Sequence, residues 1–341
     1  MKRRDFVLAG LAYPVVTPGY RLQFPRDEAA HPEFRQEWWY VTGWLRTLGG
    51  AEIGFQATFF RARPDILTDN PSDFTPRQIV LAHAAISDPR RGRLQHDERA
   101  ARVALGLAGA AEDALKVWVD GWRFDFDGRA YRAKVEAREF SYDLVLLPQG
   151  PPLLEGDAGF SRKGRGEAEA SYYYSRPQLA VHGYLDGKKV TGLAWLDHEW
   201  SSAYLPAGAG GWDWCGINLE GGGALMAFRM RAASGKRLYS GGTLVTHEGA
   251  KPVPFKDGEV QFEPLSTWRS PHSGASYPIG MRVWTPAGVW RLEPLIRDQE
   301  LDARASTGTI YWEGAVTAIG QNAPRGRGYL ELTGYWKPLR L

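Results

Sequence analysis

The stretch AEIGFQATFF, residues 51–60, sets Ile53, Phe55, Ala57 and Phe59 against Glu52, Gly54, Gln56 and Thr58. A period of two places one set on each face of a strand, which a helix with its 3.6-residue turn cannot do. The same alternation closes VEAREFSYDLVLL (135–147), with Phe140, Tyr142, Leu144 and Leu146 on one face. LAVHGYLDGKKVTGLAWL (179–196) reads as two strands joined at Asp186-Gly187, a pair suited to a tight hairpin turn with positive φ. Forty Gly and 22 Pro interrupt the chain often enough to favour many short strands. Helical periodicity is scarce. A short helix is expected at 96–104 or 109–115, and the Pro-rich segment 64–77 reads as a loop. The fold class expected is all-β and antiparallel.

The chain also repeats itself. EWWYVTGWLRTLGGAEIGFQATFFRA (37–62) matches GWDWCGINLEGGGALMAFRMRA (211–232), FDFDGRAYRAKVEA (124–137) matches RVWTPAGVWRLEPL (282–295), and LAVHGYL (179–185) matches LELTGYW (330–336). Three matches in one order predict an internal duplication with units at 20–187 and 188–341, after an N-terminal segment 1–19. Each unit suits a closed or nearly closed barrel, which hides its strand edges and can enclose a small ligand.

With 42 basic and 39 acidic residues, both mixed along the chain, no basic stripe points to nucleic acid. The single cysteine, Cys215, excludes an intrachain disulfide and a multi-cysteine metal site. KRRDFVLAGLA near the N-terminus, with Arg3, Arg4 and a short apolar run, reads as a twin-arginine export signal and predicts a periplasmic or secreted protein. No run approaches the roughly 18 apolar residues of a spanning helix, so any membrane or transporter association is expected at a surface.

FPRDEAAHPEFRQEWWYVTGWL (24–45), AHAAISD (82–88) and GLAWLDHEWSS with GWDWCGINL (192–219) resemble the AttH-like family, a relative of the bacterial carotenoid hydratases (hydroxyneurosporene synthases) once labelled predicted secreted hydrolases. The resemblance covers nearly the whole chain from about residue 20. It implies two tandem lipocalin-like barrels with an apolar cavity in or between them. Carotenoid hydratases add water to an unactivated alkene without a cofactor, while other relatives bind or shape apolar molecules.

Hydrating such a bond needs a carboxylic acid of raised pKa to protonate carbon, and aromatic faces to stabilise the cation. Asp197-His198-Glu199-Trp200 and Trp212-Asp213-Trp214 each combine acid and indole. Asp197 or Asp213 is the expected proton donor, His198 orients it or holds water, and Trp200, Trp212 and Trp214 line the site. In the first repeat Glu37, Trp38, Trp39 and Tyr40 occupy the matching position, with Trp39 standing where the second copy has Asp213. This predicts one site, walled by both repeats. His83 is a further candidate, as is Tyr173, the middle of the run Tyr172-Tyr173-Tyr174. His31 reads as a structural histidine.

A metal set of Asp197, His198, Glu199 and His83 is disfavoured because adjacent strand residues face opposite sides. A serine hydrolase is disfavoured because G-x-S-x-G is missing. The Gly-rich stretch 207–211 lacks the strand-to-helix setting of a phosphate loop and is expected to form a lid-like loop. The expected function is binding of an apolar, isoprenoid-like or lipid ligand with cofactor-free hydration. The alternative is a non-catalytic carrier linked to an export system.

Overall fold

A computed structural model describes residues 13–64, 72, 75–203 and 205–339. The twin-arginine stretch and most of the Pro-rich segment lie outside them. The described chain is all-β. Its helical content is two single 3-10 turns, Arg26–Glu28 and Glu220–Gly222. The segments expected as short helices hold the strands Leu94–Arg102 and Ala108–Ala110 instead. Both segments are held by antiparallel pairing, Leu94–Arg102 with Ile79–Ser87 and Ala108–Ala110 with Lys116–Val119. At the hairpin, Asp186 and Gly187 both take positive φ, 49° and 71°.

The strands form two large curled sheets. In the first, Gln36–Thr47 lies between Glu52–Ala62 and Lys188–Ser201. In the second, Ala209–Leu219 lies between Ala224–Ala232 and Gly326–Leu332. Each half thus brings its last strand back beside its first, and these pairings are antiparallel. The first sheet curls until its ends meet. Arg99 of the outer strand ion-pairs with Asp120 at 3.1 Å and covers the Trp122 ring. This architecture is the pair of lipocalin-like barrels expected from the resemblance.

Each curl is filled by its own side chains. Phe55, Phe124, Tyr131 and Leu146 pack inside the first; Ile217, Met281, Trp290 and Leu330 pack inside the second. A third cluster, including Tyr40, Trp44, Trp195, Trp214, Met226 and Tyr329, glues the two sheets together. Hydrogen bonds pin that interface. Trp44 Nε1 donates to Gly328 O at 3.1 Å, and Asn218 Nδ2 to Ala194 O at 3.1 Å. Gln178 sits at a bulge with φ 58°, a region that costs a side-chain-bearing residue energy. That cost is offset by the bonds it makes across the interface, its N–H to Asn218 Oδ1 and its Nε2 to Leu219 O and Gly223 O.

The division between halves differs from the expected 187/188. Lys188–Ser201 is the closing strand of the first sheet, so the sheets part after Ser201. Of the three sequence matches, 37–62 with 211–232 pairs equivalent strands. The other two are shifted by one strand. LAVHGYL is in the penultimate strand of its sheet, whereas LELTGYW begins in the last. Meanders repeat hairpins of similar composition, so a one-strand slip preserves apolar alternation and looks like a good match. The Gly-rich 207–211 is also not a loop throughout, since Ala209–Leu219 is a strand.

Candidate functional site

Directly opposed residues of an antiparallel pair share a face. Asp197 faces Tyr40 on one side and Ser175 on the other; Glu199 faces Trp38 and Tyr173. These side chains point to the gap between the sheets. From the second sheet, Trp214 faces Glu331, and Glu331 faces Glu313. Together with Trp212, His83 and Tyr311 they line a cavity of about 200 Å³. Trp38, Tyr40, Tyr173, Trp212, Trp214, His83 and Asp197 therefore line one cavity.

The cavity gathers more carboxyls than its aromatic walls suggest. Asp197 Oδ1 accepts from Ser175 Oγ at 2.6 Å and from Trp195 Nε1 at 2.6 Å. Burial pushes its pKa up to about 7, while the bonds from Ser175, Trp195 and Tyr173 pull the other way. Ser175 Oγ also lies 2.9 Å from Glu155 Oε1. One hydroxyl proton cannot serve two carboxylates, so one of the acids carries a proton of its own. Glu155, buried and raised to about 8, fits that role.

Across the cavity, burial and the neighbouring Glu331 hold Glu313 well above the carboxylate range, against the Tyr40 hydroxyl. Glu331 is raised to about 7 by burial, against a hydrogen bond from Trp212 Nε1 at 3.0 Å. Glu199 is raised by burial, with Lys163 Nζ at 2.8 Å and Ser171 Oγ lowering it. His83 is buried, and its ring is driven down to about 3 by that burial and by His96, so it is neutral. Its Nδ1 lies 2.8 Å from the Tyr311 hydroxyl and its Nε2 2.9 Å from Ser306 Oγ.

Two of the three expected catalytic side chains lie elsewhere. His198 points the other way from Asp197, into the first sheet, where Nε2 lies 2.9 Å from Glu37 Oε1 and Nδ1 3.2 Å from the Tyr174 hydroxyl. Trp200 and Trp39 share that face, stacked on His31 and His198 respectively. Asp213 points into the second sheet. It ion-pairs with Arg229 and with Arg231 Nε at 3.2 Å, and it accepts from the Tyr335 hydroxyl at 2.8 Å. An aspartate with three such partners is a structural counterion. Glu37 touches the cavity edge, but its carboxylate is committed to His31, His198 and Arg61. The period of two explains all of these corrections: neighbours in sequence cannot share a wall.

His31 Nδ1, Glu37 and His198 Nε2 come within metal-ligating distance of one another. Burial disfavours a charge on His31, yet bonds to Asp27 and Glu37 carry its pKa up to about 9, so both ring nitrogens bear protons. With Arg61 Nε 2.8 Å from Glu37, the lone pairs a cation needs are spent on hydrogen bonds. The donor chemistry is that of a buried ionic network.

Glu313, Glu331, Tyr311 and Glu155 were missed by sequence reasoning. For Glu331 a signal existed. GLAWLD (192–197) and GRGYLE (326–331) are the closing strands of the two halves, with Gly192 over Gly326, Trp195 over Tyr329, Leu196 over Leu330 and Asp197 over Glu331. Glu313 then falls opposite Glu331, where Ser175 lies opposite Asp197.

A family model described as AttH-like matches residues 15–335. A crystal structure of a Nitrosomonas europaea protein described as an AttH superposes with a TM-score of 0.88 at 46% identity, covering 94% of this chain and 99% of that one. Kievitone hydratase from Nectria haematococca shares the fold, with a TM-score of 0.69 at 16% identity and 95% of both chains covered. The search of curated proteins gave no match.

Proposed function

The chain belongs to the AttH-like family, and from that premise we propose that it adds water to a carbon–carbon double bond at the end of an apolar, isoprenoid-like molecule. The observation that carries this reading is Asp197: a buried carboxyl titrating near 7, fixed by Ser175 and Trp195, on the wall of an aromatic cavity. An acid with a pKa near the working pH is the best proton donor to a weakly basic partner. Its proton goes to one alkene carbon and the π electrons form the new C–H bond, leaving a cation beside the faces of Tyr40, Trp38 and Trp214. Water then attacks the cation and gives its proton to Glu331, whose pKa near 7 leaves it partly ionised. The small volume suits the reacting end of a ligand. The shared fold with a hydratase supports this reading without specifying the substrate.

The test is hydration of an acyclic carotene in ¹⁸O-labelled water, read by mass spectrometry. Asp197→Asn is expected to abolish label incorporation while preserving binding, and Asp213→Asn to retain the label in whatever fraction folds. Full activity in Asp197→Asn would remove Asp197 from the chemistry. Binding without hydration by the unaltered protein would favour the carrier instead. On the strength of Arg3 and Arg4 we assign the protein to an exported compartment, which fractionation of cells carrying Arg3→Lys with Arg4→Lys tests by loss of export.

A further inference from the structure

One chain of contacts leaves the cavity and reaches the protein surface, and nothing in the chemistry above uses it. It begins at Glu313, buried on the cavity wall and two residues from Tyr311 on the same face of Thr309–Gln321, where both line the cavity. Tyr311 lies 2.8 Å from His83 Nδ1, and His83 Nε2 lies 2.9 Å from Ser306 Oγ. Ser306 Oγ in turn donates to Glu98, whose carboxylate also accepts the Ser306 backbone N–H at 2.9 Å. Ser306 and Glu98 are both partly exposed. The path crosses from one sheet to the other: His83 and Glu98 belong to the first, Tyr311 to the second, and Ser306 to the turn before it. The other groups facing His83 are the edge of Phe60, 5.1 Å away, and His96.

We propose that Glu98, Ser306, His83 and Tyr311 form a proton relay joining the surface to Glu313. The proposal rests on reading the cavity as a site of proton transfer. One placement of protons satisfies every link. Tyr311 donates to His83 Nδ1, His83 Nε2–H to Ser306, and Ser306 to ionised Glu98, which leaves the Tyr311 oxygen as the acceptor for a proton from Glu313. Neutral imidazole is the side chain suited to the middle, because it accepts at one nitrogen and donates at the other. In one outward passage the Glu313 O–H bond breaks and a proton arrives on Tyr311. The Tyr311 proton moves to His83 Nδ1, the Nε2 proton to Ser306, and the Ser306 proton to Glu98. Glu313 is left as carboxylate and His83 in its other tautomer; the reverse passage restores both. Hydration takes one proton from a donor carboxyl and returns one to an acceptor carboxyl. The relay carries away the proton left on the acceptor side, at Glu331 opposite Glu313, while an apolar ligand fills the cavity and keeps water out; Asp197 regains its proton from solvent once the product leaves. His83 and Ser306 are positioning residues here, since neither needs to touch the substrate.

The experiment follows the Glu313 carboxylic C=O band by infrared spectroscopy after transfer of the full chain, its cavity filled with the saturated isoprenoid hydrocarbon squalane, into D₂O, with Glu313→Gln identifying the band. Ser306→Ala, which keeps the backbone bond to Glu98, is expected to slow exchange of this band at least tenfold. Ser306→Thr, which restores a hydroxyl, is expected to recover the rate. An unchanged rate in Ser306→Ala overturns the relay, as does failure of Ser306→Thr to recover it in a variant that melts at the wild-type temperature. A carboxylic band insensitive to Glu313→Gln overturns it too, since the relay needs Glu313 as an acid. None of these outcomes depends on turnover, so they separate failure of the relay from failure of the hydration reading, which Asp197→Asn tests.

Discussion

Asp197 and Glu331 occupy the same register position in the two halves of the duplicated fold. Each lies on the closing strand of its sheet, directly opposite an aromatic side chain of the first strand: Tyr40 for Asp197 and Trp214 for Glu331. The face-to-face packing of the sheets aims both carboxyls into one cavity. Duplication has thus supplied a pair of acids, and their surroundings differ. Asp197 is held by Ser175 and Trp195, whereas Glu331 is held by Trp212 and has Glu313 across the strand pair.

If Glu331 takes the proton of the attacking water, Glu331→Gln lowers kcat by about 100-fold, the scale of general-base catalysis, with KM moved little. Steady-state kinetics on the hydrated substrate checks this. A wild-type kcat would exclude Glu331 from the reaction.

Trp195→Phe removes the indole N–H that stabilises ionised Asp197. Activity that depends on protonated Asp197 falls as pH rises through about 7. With the donor lost, the Asp197 pKa rises and this alkaline limb moves up by about one pH unit. A pH–rate profile unchanged by the substitution would argue against Asp197 as the acid.

The same raised pKa has a signature in stability. Between 3.8, the ordinary carboxyl value, and about 7, folded Asp197 holds a proton that the unfolded chain releases. Folding stability contributed by this group therefore falls as pH rises through that window. Asp197→Asn lacks the slope, so relative to wild type it gains on the order of several kcal/mol between pH 4 and pH 8. Urea unfolding at the two pH values measures the difference; a pH-independent difference contradicts the shift.

Asp213→Asn leaves Arg229 and Arg231 without their counterion in the second sheet. The expected destabilisation is about 3 kcal/mol, the scale for breaking a buried ion pair. Urea unfolding reads it directly. Loss of only a few tenths would mean that the arginines find other partners.

Much of the fold was legible in short-range pattern. Ile53, Phe55, Ala57 and Phe59 announce a strand because a pleated backbone alternates its side chains, and Asp186-Gly187 announces its hairpin by the φ values it tolerates. The tyrosine run worked for the same reason: Tyr173 reaches the cavity while Tyr172 and Tyr174 pack on the other face.

Alternation says that Asp197 and His198 part ways, and that Asp213 leaves the face of Trp212 and Trp214. It does not say which of the two faces meets the cavity, because either could cover an apolar interior. That choice was made when each sheet curled onto its own core and the outer faces were left to meet each other. Glu313, Glu331 and His83 joined Asp197 only at that step, across more than a hundred residues of chain, through burial that raises the pKa of the two acids and lowers that of His83, and that exists only once both sheets are packed.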